Sequence, residues 1–142
     1  MAYISQEMKK ELAPKIKEVL KKYGVKATIS IRNHMTLSVN IQSGSIDFSR
    51  AKSEAARRQV NGAAGFTATD GKFYDQVNTY HISSFYEGTA KDFLKELHNA
   101  MKQPTSRGEW YDKTDIMTDY FDVAYYTDIN VGRWDKGYVQ TA

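Results

Sequence analysis

Cysteine is absent from the 142-residue chain, which removes disulfides, thiolate metal sites and cysteine nucleophiles together. No apolar run approaches the ~20 residues that span a bilayer, and Met1 to Lys10 lacks the apolar core of a secretory leader. The expectation is a soluble, intracellular protein without a membrane partner. There is no Gly-rich phosphate loop followed by Lys and Ser or Thr, no Gly-x-Ser-x-Gly elbow and no zinc-protease helix motif. No catalytic residue and no cofactor are therefore assigned, and binding is the default over bond-breaking. What is present is ordinary for a globular protein: 41% hydrophobic and 26% charged residues, in a length that suits one domain over residues 1–142.

Hydrophobic periodicity predicts the elements. Met8, Leu12, Ile16, Val19, Leu20 and Tyr23 follow helical spacing within Ser5–Tyr23, which ends at Gly24. Pro14 either kinks this helix or marks where its regular part begins. Val25, Ala27, Ile29 and Ile31, then Met35, Leu37, Val39 and Ile41, alternate with polar residues and predict an antiparallel hairpin. Opposed residues must share a face, so a two-residue turn at Asn33-His34 would mix apolar and polar sides. Parity favours three residues, either Arg32–His34 or Asn33–Met35, with Asn33 or His34 suited to a left-handed conformation. Ile46 and Phe48 are candidate apolar anchors.

The middle segment, 49–75, is a variable part of the single domain. It is read as a shallow helix over Arg50–Val60, a break at Asn61–Gly65 and a small hairpin around Asp70-Gly71. A third strand is expected within Gln76–Ser83. The next helix carries an apolar stripe of Ala90, Phe93, Leu94, Leu97, Ala100 and Met101, with Thr89 in a capping-like position and Pro104 beyond the end. Asp122–Val131 makes a fourth strand, in which Val123, Tyr125, Ile129 and Val131 share a side and Tyr126 faces away. The fold class is α+β, an antiparallel sheet of about four strands with two main helices packed on one face.

The formal net charge of +3 hides an asymmetry. Residues 1–60 carry 12 Lys or Arg against 5 Asp or Glu, whereas residues 61–142 carry 8 against 12. Lys9, Lys10, Lys17, Lys21 and Lys22, with Lys26 and Arg32 on the polar strand face, form a candidate nucleic-acid surface, although a solvated helix face needs such charges anyway. The late aromatics and acids form a second candidate. Trp110, Tyr111, Asp112, Asp115, Asp119, Tyr120, Trp134 and Lys136 combine apolar area with polar edges, as protein interfaces do. Asp112, Asp115, Asp119 and Asp122 could gather on a helical turn and hold a divalent cation with a histidine, which would make a metal-dependent enzyme the third reading. The calcium-loop pattern is missing, however, and His34, His81 and His98 lack ligand spacing. No metal site is assigned.

The stretch from Trp110-Tyr111-Asp112-Lys113 to Thr118-Asp119-Tyr120-Phe121, continuing through Tyr125-Tyr126-Thr127-Asp128-Ile129-Asn130-Val131-Gly132-Arg133-Trp134-Asp135-Lys136, resembles the large polyvalent protein-associated domains of phages and conjugative elements. The run from Tyr23-Gly24-Val25-Lys26 to Val39-Asn40-Ile41, with Ser43-Gly44, is similar too, as is Tyr86-Glu87-Gly88 leading into Phe93-Leu94. One departure is Gly137, where relatives are expected to carry proline. The resemblance implies a mobile-element origin and residence in the cytoplasm of a bacterial host, but no catalytic residue set. The expected function is that of an accessory protein binding a host or phage protein, with antagonism of a host defence as its purpose. Nucleic-acid binding is the alternative.

Overall fold

The computed structural model describes residues 2–58, 64–113 and 123–141. Helix α1, Gln6–Lys22, starts where the Ser5 hydroxyl accepts the Met8 amide at 3.1 Å, an N-cap that satisfies one of the orphan donors of a first turn. The helix runs through Pro14, so its regular part does not begin there. Pro14 and the Lys10 carbonyl it deprives of a partner lie towards solvent, where water can take the place of the missing amide. Met8, Leu12, Ile16 and Leu20 form the buried stripe.

Strands β1, Val25–Arg32, and β2, Thr36–Gly44, form the antiparallel hairpin. Arg32 pairs with Thr36, leaving Asn33–Met35 as a three-residue loop. Asn33 and His34 both take the left-handed conformation, with φ of 53° and 58°. Ile29 opposes Val39 and Ile31 opposes Leu37, which keeps the apolar sets on one face.

The middle segment folds as a short helix α2, Glu54–Arg57, capped by Ser53, then strands β3, Phe66–Thr67, and β4, Phe73–Val77, joined through a turn with Gly71 at φ 83°. Of the helix expected over Arg50–Val60, Val60 and its neighbour lie outside the described residues. The strand expected over Gln76–Ser83 is displaced. Asn78 ends β4 by accepting the Tyr80 amide on its side chain and the His81 amide on its carbonyl, an Asx-type turn. The chain then enters a short helix α3, Ile82–Phe85.

Helix α4, Gly88–Met101, buries the expected stripe from Ala90 to Met101. Its cap is Glu87, without a side-chain hydrogen bond, so Thr89 sits inside the first turn rather than before it. Strand β5 spans Tyr126–Val131 and β6 Val139–Gln140. Val123 and Tyr125 precede β5 but are buried as the alternation implied, and Tyr126 is exposed.

The sheet has six strands rather than four, in the order β1-β2-β5-β4-β3 with β6 also on β2. It is mixed rather than antiparallel, because β5 and β6 join β2 in parallel. A hairpin forces antiparallel pairing, but the long connection through α4 does not. Helices α1 and α4 pack against each other, α1 on β1 and α4 on β5. Between helices and sheet lies one apolar core, including Leu12, Ile16, Leu37, Val39, Leu94, Leu97 and Ile129. No helix among the described residues is long and apolar enough to cross a membrane.

Candidate functional site

Side chains alternate across a strand, so the register that sends Ile29, Val39 and Ile129 towards the helices sends the intervening residues the other way. That second face carries Thr28, Ser30 and Arg32 from β1, Ser38 and Asn40 from β2, Asp128 and Asn130 from β5, and Tyr74 and Gln76 from β4. No described helix covers it. Asp128 is its central acceptor, taking hydrogen bonds from Arg32 Nη1 at 2.9 Å, Ser38 Oγ at 2.9 Å and Asn130 Nδ2 at 2.8 Å. Asn130 Nδ2 also donates to Asn40 Oδ1 at 3.1 Å, and Asn40 Nδ2 reaches Ser30 Oγ at 3.5 Å. The ladder crosses three strands and fixes a polar surface whose one carboxylate is already matched by a guanidinium.

At the Lys26 end the surface opens into a cleft of about 610 Å³ between the bulged β1–β2 pair and the segment after β5. Lys26, Arg133 and Lys136 line it, together with the polar groups of Asn40, Gln42 and Thr141. No Asp or Glu belongs to the lining. Arg133 shares its charge with Asp135 at 3.7 Å. Lys26 and Lys136 have no ion-pair partner among the described residues.

Backbone bonds hold the segment 132–138 in shape. The Gly132 amide donates to the Ile41 carbonyl, Arg133 to Lys136, Thr69 to the Trp134 carbonyl and Tyr138 to the Phe73 carbonyl, all at 2.7–2.8 Å. Asp70 accepts the Gly137 amide at 3.1 Å. The Lys72 and Gly137 amides hold the Asp70 carboxyl below the usual carboxylate range. Proline at 137 would lose that amide bond, and a Cβ there would lie 2.5 Å from Lys72 Cβ and 2.8 Å from its carbonyl carbon. The departure from the resembled family thus fits the local packing.

Gly132 is more demanding, since it combines φ +67° with a Cβ position 2.5 Å from the Tyr138 amide nitrogen. Gly132→Ala is expected to cost about 1–2 kcal/mol of stability through backbone strain, read as a lower urea midpoint. An unchanged midpoint would show that the segment relaxes freely.

The structure distributes the expected site residues. Trp110 is half-buried, its indole N–H donating to the Tyr125 carbonyl at 2.9 Å and Lys102 lying 5.0 Å from its ring. Tyr111 and Asp112 are exposed beside Ala124 and Val123, ahead of β5. Trp134, 65% exposed, and Lys136 lie beyond its other end. Six residues of strand, about 20 Å, separate the two groups. Asp115, Asp119 and Tyr120, and with them Asp122, lie outside the described residues. Lys9, Lys10, Lys17, Lys21 and Lys22 belong to α1, on the opposite side of the sheet from Lys26 and Arg32, and Lys22 pairs with Glu96 at 2.7 Å. Lys26 and Lys136, drawn from different candidate sets, are the two brought to one cleft.

No family model, curated protein or solved structure matches the chain. The site therefore has to be read from its own chemistry. Among the described residues no three His, Asp or Glu side chains gather as metal ligands would. His34 sits in the hairpin loop, His81 before α3 and His98 on α4. Sequence reasoning missed Arg133 as a site residue, and also Gln42, Asn40, Asn130 and Gln76. The alternating polar residues of the predicted hairpin were the available signal for the β2 members. Nothing in the sequence indicated that β5 would extend that face.

Proposed function

We propose that the protein is a small accessory protein of a phage or conjugative element that works by binding, and that its ligand is a nucleic acid held against the face of the sheet that no described helix covers. The mobile-element origin rests on the resemblance given above. The reading of the site rests on the convergence of Lys26, Arg133 and Lys136 on a cleft without a lining carboxylate, next to a face that offers amide and hydroxyl groups. Phosphates supply most of the affinity of such contacts, and neutralising them releases counterions.

Three phosphate contacts predict an affinity that falls about 20–40-fold between about 50 mM and about 200 mM salt. Fluorescence anisotropy with labelled single-stranded and duplex oligonucleotides checks this. No binding to either at the lower salt would refute the proposal. The exposure of Trp134 beside two cations favours a second reading, a protein partner anchored on that indole, since Trp and Arg are enriched among interface hot spots. A partner captured from host lysate by the wild type and lost with Trp134→Ala, in a protein that binds no oligonucleotide, would select it.

A further inference from the structure

We infer that the ligand is single-stranded nucleic acid, with its phosphates in the cleft of Lys26, Arg133 and Lys136 and its bases laid on the sheet, one of them against the pair of exposed Phe66 and half-buried Tyr74. The inference rests on the nucleic-acid reading and adds the strand state. Tyr74 has the same parity along β4 as Gln76, and Phe66 pairs with Tyr74 across β3, so both rings belong to the uncovered face. The rings stack at 5.3 Å with 25° between planes, and Phe66 is 46% exposed. An aromatic pair left open on a polar face offers a platform that every base can use.

The platform and the cleft are adjacent. The Phe73 carbonyl, one residue from Tyr74, accepts the Tyr138 amide at 2.7 Å, and Tyr138 follows the cleft segment. Between them the exposed side-chain amide of Gln76 stands where base edges would pass, beside Asn40 and Asn130, whose amide groups the ladder already engages. A duplex hides those edges in grooves that are read by a projecting helix or ribbon. The described face projects neither, so its amides can reach bases only when the strand is unpaired. Charge complementarity sets the direction of docking, because the cations lie at the cleft and Asp128 is already held by Arg32.

The test uses the full chain and labelled oligothymidylate of about twelve nucleotides, within the span that sheet-based single-strand sites cover. The single strand is expected to bind at least about tenfold tighter than a mixed-sequence duplex of equal length. Phe66→Ala is expected to weaken it about tenfold with the salt slope unchanged. Lys26→Gln with Lys136→Gln is expected to lower the slope by about 1.4, at about 0.7 per single-strand phosphate contact. All three side chains are exposed, and a thermal melt confirms that each variant is folded.

Duplex bound as well as the single strand would overturn the inference while leaving the nucleic-acid reading in place. Binding insensitive to Phe66→Ala and to the lysine pair would also overturn it, by moving the ligand to another surface. Displacement by polyglutamate as effective as by unlabelled oligothymidylate would replace it with an acidic protein segment. No binding to any oligonucleotide at low salt would remove both the inference and the reading beneath it.

Discussion

Lys52→Met is expected to lower the unfolding free energy by about 3–5 kcal/mol, as removal of one member of a buried ion pair does. The Lys52 and Asp75 side chains are 2% and 4% exposed, and Nζ lies 2.6 Å from Asp75 Oδ2. Tyr86, itself buried, donates its hydroxyl to the same oxygen at 2.6 Å, and the ammonium stands 4.1 Å from the centre of its ring. Burial pushes the lysine pKa down and the aspartate up, while their mutual hydrogen bond opposes both shifts. Burial also raises the Tyr86 hydroxyl, which stays protonated and continues to donate.

Methionine in place of Lys52 keeps the apolar volume but strands the Asp75 carboxylate. Asp75 must then either remain charged in a low dielectric or take up a proton. Replacing both partners, Lys52→Met with Asp75→Leu, is expected to recover only part of the loss unless Tyr86→Phe is added, because the desolvation cost of the two charges disappears with them but the buried Tyr86 hydroxyl loses its acceptor. Urea midpoints of the single and double variants measure the difference. A single-variant loss below about 1 kcal/mol would mean that the pair is solvated and behaves like a surface bridge. The pair matters to the proposed site because it ties the chain before α2 to β4, the strand that presents Tyr74 and Gln76 on the uncovered face.

The elements that were legible in the sequence are those whose pattern is local. Ile29 and Val39 announced a hairpin, and parity restricted its loop to three residues, because a one-residue slip would have turned every apolar side chain outward. The stripe from Ala90 to Met101 gave α4 by the same logic at a period of 3.6. What escaped was set by non-local pairing. Nothing near Tyr126–Val131 states that this strand will lie parallel to β2, since the partner is about ninety residues away and the decision rests on how α4 packs. Asp75 and Lys52 look like surface charges in the sequence, whereas in the fold both are buried, with Tyr86 bonded to the one and packed against the other.

The candidate site divides in the same way. Polar residues at alternate positions of β1 and β2 marked a face without helices. The cleft, however, joins Lys26 to Arg133 and Lys136 across more than a hundred residues, through β6 docking beside β2. The lysines on α1 carried the stronger compositional signal, yet the amphipathic helix that displays them must bury its other side against the sheet. That places them away from the polar face.

His98 makes the junction behind this face sensitive to acid. It sits on α4, half-buried, with Nε2 3.0 Å from the Thr127 hydroxyl of β5. Burial, helped by the charge of Lys102, pushes its pKa down from 6.5 to about 4. In the unfolded chain the imidazole titrates near its ordinary value, so between about 4 and 6.5 the unfolded state binds more protons than the folded one. The contribution is present in full above pH 6.5 and is lost as pH falls towards 4. A depression of that size corresponds to at most about 3 kcal/mol, and about 2 kcal/mol once the partial exposure of the ring is discounted.

His98→Gln keeps a polar group near Thr127 without the titration. Its stability is therefore expected to fall less than that of the wild type, by about 2 kcal/mol, between pH 7 and pH 4, measured by denaturant titration at each pH. Parallel curves for the two proteins would show that His98 titrates normally in the fold. Thr127 lies between Tyr126 and Asp128 on β5 and points to the helix side while they point to the uncovered side. Because the folded imidazole stays neutral until the pH nears 4, the loss over this interval is one of stability and not of the surface itself, and the oligonucleotide affinity of the folded protein is expected to be the same in the wild type and in His98→Gln between pH 6.5 and pH 5.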